Sequence, residues 1–567
     1  MDPDLALPEG SWEEGQVRAP GLARDRPPAI KWGEAGYRRL ALAAALTLGL
    51  VLRLYRIGAH GLWIDEAFSV WLARQPLNEM LRWVREVDHH PPLYYSMLSG
   101  WISVCGSGES AVRALSALFG TLNIGVIYLL GRRLCGAWVG AVAAWVLALS
   151  PLHVRYAQEA RMYTLLTLFA SLALYAFLHL WRKSGGLDQG GGDGSPALGP
   201  ATGLVPGWLG YVIFTTCMLW THNTAVFFPV AANLIVFARA VVRRRSKHGL
   251  TREPGGALRS GGRPNSRWLR RWAAAQGAVL ILWSPWIPAL VVQAVDVYRR
   301  FWLPAPELTT VASIAGVLLW DFPAERLLTP LLVSTVLAGT TLYGLWHLST
   351  SARGRAWIGA FFLVPLVGQW AASAWRPILA EHTMIWTSVP LYLMLAVGIR
   401  ALTDRVESRR ASRLLQAAPI IALIAVQGAA VGAYYAAPVK EDWVGAAALV
   451  AEHLAPEDTI LFSSSWGQIP FDYYLAQQYN RGAGPEVAEH GLPVDLFDRG
   501  VLEPEMTRQD LDRLQELIAG RRRVWLISSH AWYADPEGLV PSALRRRMDL
   551  ERRWALPGVE VRLYTGG

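Results

Sequence analysis

The sequence predicts an all-α polytopic membrane protein carrying a small α/β domain at its C-terminal end. Of 567 residues, 53% are hydrophobic and only 17% charged, and the apolar residues gather in blocks of roughly 15–22, the length that crosses a bilayer core. Many of the 27 tryptophans stand near block ends, as Trp181, Trp208, Trp272 and Trp346 do, where indole favours the membrane–water interface. From residue 438 onward the long blocks give way to short apolar runs alternating with helical patterns, the mark of a small α/β unit.

Residues 1–36 are polar, proline-rich and mixed in charge. They read as a disordered cytoplasmic tail without a cleavable signal peptide. The membrane domain is expected over 37–437, with spans near 39–56, 111–131, 137–151, 160–181, 207–221, 223–240, 272–292, 327–348, 356–375, 383–402 and 414–435. Two shorter blocks, 92–105 and 309–320, either cross or lie as re-entrant or interfacial pieces, which sets the expectation at 11 to 13 helices. The formal charge is +10, concentrated in short loops, notably Arg243, Arg244, Arg245, Lys247, Arg252, Arg259, Arg263, Arg267, Arg270 and Arg271. Basic residues between spans follow the positive-inside rule, so no nucleic-acid partner is implied. With the short blocks not crossing, Arg132 and Arg133, Arg353 and Arg355, and Arg405 to Arg413 also fall inside. The N-terminus is then cytoplasmic and the C-terminal domain extracytoplasmic. Segments 182–206 and 241–271 become cytoplasmic loops, the first with a glycine-rich spacer at 184–204. Cys105, Cys135 and Cys217 lie in or beside apolar blocks, with spacing that suits neither a disulfide framework nor a metal site.

The outer domain, 438–567, should open with an amphipathic helix at 440–454. Strands follow at Thr459 to Ser463 and Val524 to Ser528 with a helix at 509–519 between them, and a last strand runs from Val559 to Tyr564. Asp472, Tyr473 and Tyr474 are expected to pack within this domain.

The chemistry concentrates in the first outer loop, 58–91. Asp65 and Glu66 are adjacent carboxylates just beyond a span, between Trp63 and Phe68. Acids at a bilayer edge are costly unless they pair, bind a cation or react. An isolated Asp-Glu pair is more simply a favourable charge at a helix start, but this one has company. His90-Pro91-Pro92 stands at the membrane edge where the 92–105 block begins, and Ser150 to Tyr163 brings Arg155, Glu159, Arg161 and Tyr163 to the outer end of another block. Glu159 and Tyr163 are four apart and share a face if a helix starts there. Arg155 and Arg161 carry fixed positive charge suited to phosphate. Trp220-Thr221-His222-Asn223 is either cavity lining or a satisfied polar turn, and Glu381-His382 sits at another outer edge, where His382 is a candidate phosphate contact. Tyr298 to Trp302 is a basic aromatic outer stretch, either sugar-stacking or an interfacial anchor.

Taken in order, Trp63-x-Asp65-Glu66-Ala67, His90-Pro91-Pro92-Leu93-Tyr94-Tyr95, Gly106-x-x-Glu109-x-x-x-Arg113 and Ser150-Pro151 through Tyr156-x-Gln158-Glu159-Ala160-Arg161-x-Tyr163 resemble the large polytopic glycosyltransferases of the C superfamily. Within that superfamily the sequence looks like the family-39-type branch, which holds protein O-mannosyltransferases, lipid A aminoarabinose transferases and lipopolysaccharide-core galacturonosyltransferases. The resemblance spans about 40–435 and is strongest over 61–163; Lys440-Glu441-Asp442-Trp443 resembles the start of the outer domain in bacterial members. The resemblance implies a polyprenyl-phosphate sugar donor, an extracytoplasmic lipid, glycan or protein acceptor, and residence in a bacterial plasma membrane. It implies that Asp65 is the essential first-loop acid, acting as base, as ligand to a divalent ion such as Mg or Mn, or both. Glu66 is then its catalytic companion, His90 a phosphate contact, and Glu159, Arg161, Tyr163 and His382 substrate-binding residues. In relatives the second acid aligns near Tyr163, whereas here it is Glu159, one turn earlier, which leaves a metal held by Asp65 and Glu159 in question.

The chemistry agrees with these assignments. A polyprenyl phosphate leaves readily when positive charge meets its oxygens, and a carboxylate can take the acceptor's hydroxyl proton. One base with a stabilised leaving group suits inverting displacement rather than the nucleophile-plus-acid pair of a retaining hydrolase. A lipid or sugar transporter would instead show ionisable residues at mid-bilayer, broken helices and repeats. A non-catalytic scaffold gives no reason for Asp65, His90 and Glu159 to share one membrane face.

Overall fold

The computed structural model describes residues 34–88, 90–184, 207–245, 266–296, 306–319, 328–350, 355–374, 377–403, 409–436, 440–479, 485, 487–496 and 505–566. Residues 1–33 of the expected tail, most of the loops at 182–206 and 241–271, and the Tyr298 to Trp302 stretch lie outside them; Glu34 to Gly36, expected in the tail, instead begin the first helix.

Every block predicted to span is helical. The first half comprises α1 (Glu34–Leu54), α2 (Ile64–Ala73), α3 (Leu77–Glu86), α4 (Leu93–Cys105), α5 (Glu109–Cys135), α6 (Ala137–Leu149), α7 (Pro151–Ala157) and α8 (Tyr163–Lys183). Further apolar helices follow over Gly207–Leu219, Phe227–Arg245, Ser266–Trp283, Ile287–Asp296, Leu308–Leu319, Leu328–Thr350, Ala360–Ala372, Ser388–Thr403 and Arg409–Ala436. Among the described residues six helices are long and apolar enough to cross a membrane alone, or seven if α6 and α7, bent by 58°, form one span. Shorter apolar helices of 10–17 residues lie at Gly207–Leu219, Thr309–Leu319 and Ala356–Ala372.

Two close crossings build the bundle. A Cβ on Gly140 would stand 2.4 Å from the Tyr128 carbonyl, so α5 and α6 touch backbone to backbone. A Cβ on Gly398 would stand 2.0 Å from the Thr340 carbonyl, joining Leu328–Thr350 to Ser388–Thr403 in the same way. Small residues permit such approach where lipid gives no hydrophobic drive between helices.

The bend at Ser150-Pro151 frees carbonyls at the end of α6. Arg53, fully buried at the end of α1, donates Nη1 to Ala148 at 3.2 Å and Nη2 to Leu147 at 3.2 Å. Gln158 Nε2 in turn reaches the carbonyls of Arg53 at 3.1 Å and Tyr55 at 2.7 Å. Each end is satisfied by the other's side chain, as buried backbone groups require.

α5, about 40 Å long at 1.5 Å per residue, separates two chemically different ends. Its start, Glu109, faces the first loop. Its end carries Arg132 and Arg133, and Arg133 bonds Tyr175 Oη at 2.8 Å and His179 Nδ1 at 2.6 Å. Arg182, Arg239 and Arg355 gather at that same end.

The C-terminal unit is a five-stranded sheet in the order β2-β1-β3-β5-β4. Its strands are β1 (Thr459–Ser463), β2 (Ala488–Leu492), β3 (Arg523–Ser529), β4 (Asp549–Leu556) and β5 (Val559–Thr565). β1 pairs in parallel with β2 and β3, and β5 runs antiparallel to β3 and β4. The strands read from sequence are β1, β3 and β5. β4 escapes notice because it is a mostly exposed edge strand without an apolar face, and β2 because Leu492 is the one large apolar residue between Ala488 and Leu492. The helix Gln468–Gln478, also unanticipated, packs Phe471 and Tyr474 inward.

Candidate active site

Asp65 is the second residue of α2, and its side chain is 42% exposed. Its carboxylate lies 3.8 Å from the Nη2 of Arg161, whose guanidinium is nearly buried. Arg161 also reaches the Asp65 carbonyl and Ser69 Oγ, each at 3.4 Å. Glu66, one residue on, is oriented wholly differently. It is buried, and its oxygens accept Arg113 Nε at 2.8 Å, Arg113 Nη2 at 2.6 Å and the Ala160 N–H at 2.8 Å. Arg113 also donates to the carbonyls of Ile57, His60 and Gly61. Adjacent helical positions point about 100° apart, so one carboxylate faces the site while the other ties the loop to α5 and to the turn before α8.

The His90 corner closes on the same place. His90 Nδ1 and Asp88 Oδ1 are 2.9 Å apart. Burial opposes the charge of Asp88, but the His90 ring, Arg161 and the Tyr95 hydroxyl outweigh it and bring its carboxyl down to about 2. The corner is pinned by Gln293, whose Nε2 donates to the carbonyls of Val84 at 2.7 Å and Asp88 at 2.8 Å. The Leu93 N–H donates to the Trp220 carbonyl at 3.2 Å.

Aromatic rings connect these groups. The His90 ring centroid is 5.2 Å from that of His222, and Tyr163 stands 6.2 Å from His222 and 5.2 Å from His382. The Arg161 guanidinium lies 5.9 Å from the Tyr163 ring. His222 therefore lines the site, and its Nδ1 accepts the Thr224 N–H at 3.2 Å. Its neighbour Asn223 is structural, accepting Trp286 Nε1 at 2.9 Å. The Trp220 to Asn223 stretch is thus both things that its sequence left open.

Glu159 does not join this group. α8 begins at Tyr163, after a turn closed by the Arg161 N–H on the Glu159 carbonyl at 2.8 Å. The shared helix face expected for Glu159 and Tyr163 consequently does not form. The buried Glu159 carboxylate pairs with Lys440 instead. Arg155 turns to Glu381 at 3.0 Å and covers the Tyr156 ring.

A divalent ion held jointly by Asp65 and Glu159 does not fit this arrangement, because each carboxylate already faces its own cation. Among the described residues no group of three or more His, Cys, Asp or Glu is arranged to hold a metal.

The outer domain also takes part. Of Asp472-Tyr473-Tyr474, Asp472 stays within it beside Glu489, but both tyrosines reach out: the Leu62 N–H donates to Tyr474 Oη at 2.6 Å, Tyr474 Oη donates to Glu109 at 3.0 Å, and Tyr473 Oη donates to the Ser107 carbonyl at 2.7 Å. Glu441 accepts the Ile64 N–H at 3.0 Å. Sequence reasoning gave Asp88 no role, and it marked Lys440 and Glu441 only as the start of the outer domain. Their available signals were the Asp88-x-His90 spacing and a charged pair directly after the last span.

Residues 89–187, from the His90 corner through α8, match the family model for dolichyl-phosphate-mannose-protein mannosyltransferase. The whole chain is similar to crystal structures of ArnT from Cupriavidus metallidurans. In the apo state that protein is 16% identical, with 93% of this chain and 98% of that chain covered and a TM-score of 0.54. Bound to undecaprenyl phosphate it is 15% identical, with 94% and 98% covered and a TM-score of 0.51. The Archaeoglobus fulgidus oligosaccharyltransferase, in a complex with Zn and sulfate, is 12% identical, with 93% and 73% covered and a TM-score of 0.51. No curated protein matches the sequence. The fold is that of the polytopic enzymes which the ordered motifs resemble.

Proposed function

We propose that this chain, a membrane glycosyltransferase of the C superfamily by its fold and its family segment, moves a sugar from a polyprenyl-phosphate donor to a hydroxyl outside the cytoplasm. The observation that supports this reading most is the meeting of Asp65, Arg161, His90, Tyr163 and His382 from four separated segments. The kinship with an ArnT crystallised with undecaprenyl phosphate supports the donor class.

Each residue then has a task. Asp65, partly exposed, takes the proton of the acceptor hydroxyl as its oxygen attacks the anomeric carbon. The bond from that carbon to the phosphate oxygen breaks, and the polyprenyl phosphate leaves with the electron pair. Arg161 and His90 stabilise the leaving phosphate's charge. Tyr163 and His382 offer rings and polar edges to the sugar. A single displacement inverts the anomeric centre. Glu66 positions Asp65 and does not itself react. The basic end of the bundle, where Arg132, Arg133, Arg182, Arg239 and Arg355 gather, supports a cytoplasmic face there and an active site on the opposite, outer side.

The test is to incubate purified protein and a total membrane-lipid extract with a panel of undecaprenyl-phosphate-linked sugars, then to read products by mass spectrometry. Transfer by the wild type and none by Asp65→Asn is expected. Undiminished transfer by a well-inserted Asp65→Asn protein removes Asp65 as the base.

A further inference from the structure

The helix that carries Asp65 is incomplete at its own start. α2 follows Trp63, whose side chain provides no cap. The first N–H groups of any helix lack partners within it, and Ser, Thr, Asp or Asn ordinarily answers one of them locally. Here the partner comes from residue 441. Glu441 Oε2 accepts the Ile64 N–H at 3.0 Å, one residue before Asp65, and also the Trp443 Nε1–H at 2.5 Å. Its other oxygen lies 3.5 Å from His530 Nε2.

Glu441 is anchored where it stands. The Asp442 N–H donates to the Pro557 carbonyl at 2.8 Å, beside the turn between β4 and β5. A Cβ on Gly558 would come within 2.5 Å of the Lys440 carbonyl, so the two backbones are in direct contact. Lys440, adjacent in sequence, pairs with Glu159 and sets its ammonium 4.2 Å from the centre of the Trp63 ring. Tyr474 holds the Leu62 N–H. Three consecutive residues before Asp65 are thus each gripped by a different side chain of the C-terminal domain. The approach is close enough that a Cβ on Gly61 would meet Val444 at 2.8 Å and Tyr474 at 3.1 Å.

We propose that the C-terminal domain supplies the N-cap of the catalytic helix, with Glu441 as the positioning residue that sets Asp65 against the acceptor. The proposal rests on the reading of Asp65 as base. A carboxylate at this place satisfies a part-buried N–H and sits favourably at the positive end of the helix. A glutamine keeps an acceptor oxygen at the same position, whereas alanine leaves Ile64 N–H without a partner. The wild type, Glu441→Ala, Glu441→Gln and Asp65→Asn proteins are compared, each purified at full length.

Amide hydrogen exchange over residues 62–73 reads the cap without any substrate. Exchange rises in Glu441→Ala and stays near wild type in Glu441→Gln. With the undecaprenyl-phosphate sugar that the wild type turns over, Glu441→Ala lowers kcat by roughly ten- to a hundredfold, the order expected of a misplaced catalytic group. The donor KM stays within about twofold, and Glu441→Gln restores most of kcat, since the acceptor geometry that orients the helix is kept. Unchanged exchange in Glu441→Ala, or equal losses in the alanine and glutamine variants, overturns the capping role. A fully active Asp65→Asn protein overturns the underlying reading instead, whatever the exchange shows.

Discussion

Two adjacent carboxylates, Asp65 and Glu66, should fail in opposite ways. Glu66 is 1% exposed and accepts three N–H groups, two of them from a guanidinium that is itself almost completely buried. Glu66→Ala strands Arg113 and frees the Ala160 N–H, and breaking a buried ion pair from one side costs about 3–5 kcal/mol. Arg113 keeps its three carbonyl partners, so the lower half of that range is expected. Asp65 has a 42% exposed side chain and one ionic contact at 3.8 Å, so Asp65→Asn should change stability by less than about 1 kcal/mol. Its effect falls on the reaction, where losing a general base costs roughly 100- to 10,000-fold. The assay pairs the thermal denaturation midpoint of detergent-purified protein with mass-spectrometric transfer. Glu66→Ala should melt several degrees early, whereas Asp65→Asn should melt with the wild type and transfer almost nothing. A Glu66→Ala protein as stable as the wild type, or an unstable Asp65→Asn, would refute the division of labour.

Three further outcomes follow from the same geometry. Asp88 is held at about 2 against an ordinary 3.8, worth ~2 kcal/mol at ~1.4 kcal/mol per unit. Because this pKa is lowered on folding, the stabilisation is present above the unfolded value and lost as pH falls through about 2; Asp88→Asn should remove it at neutral pH and raise the donor KM by freeing His90, measured by melting and by kinetics. Asp472 is raised by burial and by the neighbouring Glu489. Its contribution is therefore full below the unfolded value near ~3.9 and declines as pH rises toward the raised one. The melting midpoint should fall over that window in the wild type, and the fall should be smaller in Asp472→Asn. Gly140→Val should impair folding, since even one Cβ would stand 2.4 Å from the Tyr128 carbonyl, and overpacking of this kind costs ~1–3 kcal/mol or more. Normal yield of that variant in membranes would contradict the close α5–α6 crossing.

Much of this protein was legible in one dimension. Block lengths, interfacial tryptophans and basic loops specified a helical membrane bundle, because the bilayer forces every spanning backbone group to bond locally. Short apolar runs marked β1, β3 and β5, and the ordered motifs of the first outer loop and of the Ser150 to Tyr163 segment pointed to Asp65, His90, Arg161 and Tyr163. Partner choice was not legible. Whether a carboxylate is free or tied depends on groups that chain order separates: Arg113 for Glu66, Lys440 for Glu159, Glu441 for the Ile64 N–H. The start of α8 at Tyr163 rather than Glu159 is equally a tertiary decision, taken when the Ser150-Pro151 bend packed its freed carbonyls on Arg53 and the Gln158 side chain on the end of α1. Local pattern sets which helices form, since their hydrogen bonds close within a turn. Only packing sets which charge meets which, since that pairing is a long-range choice among buried groups that must all be satisfied at once.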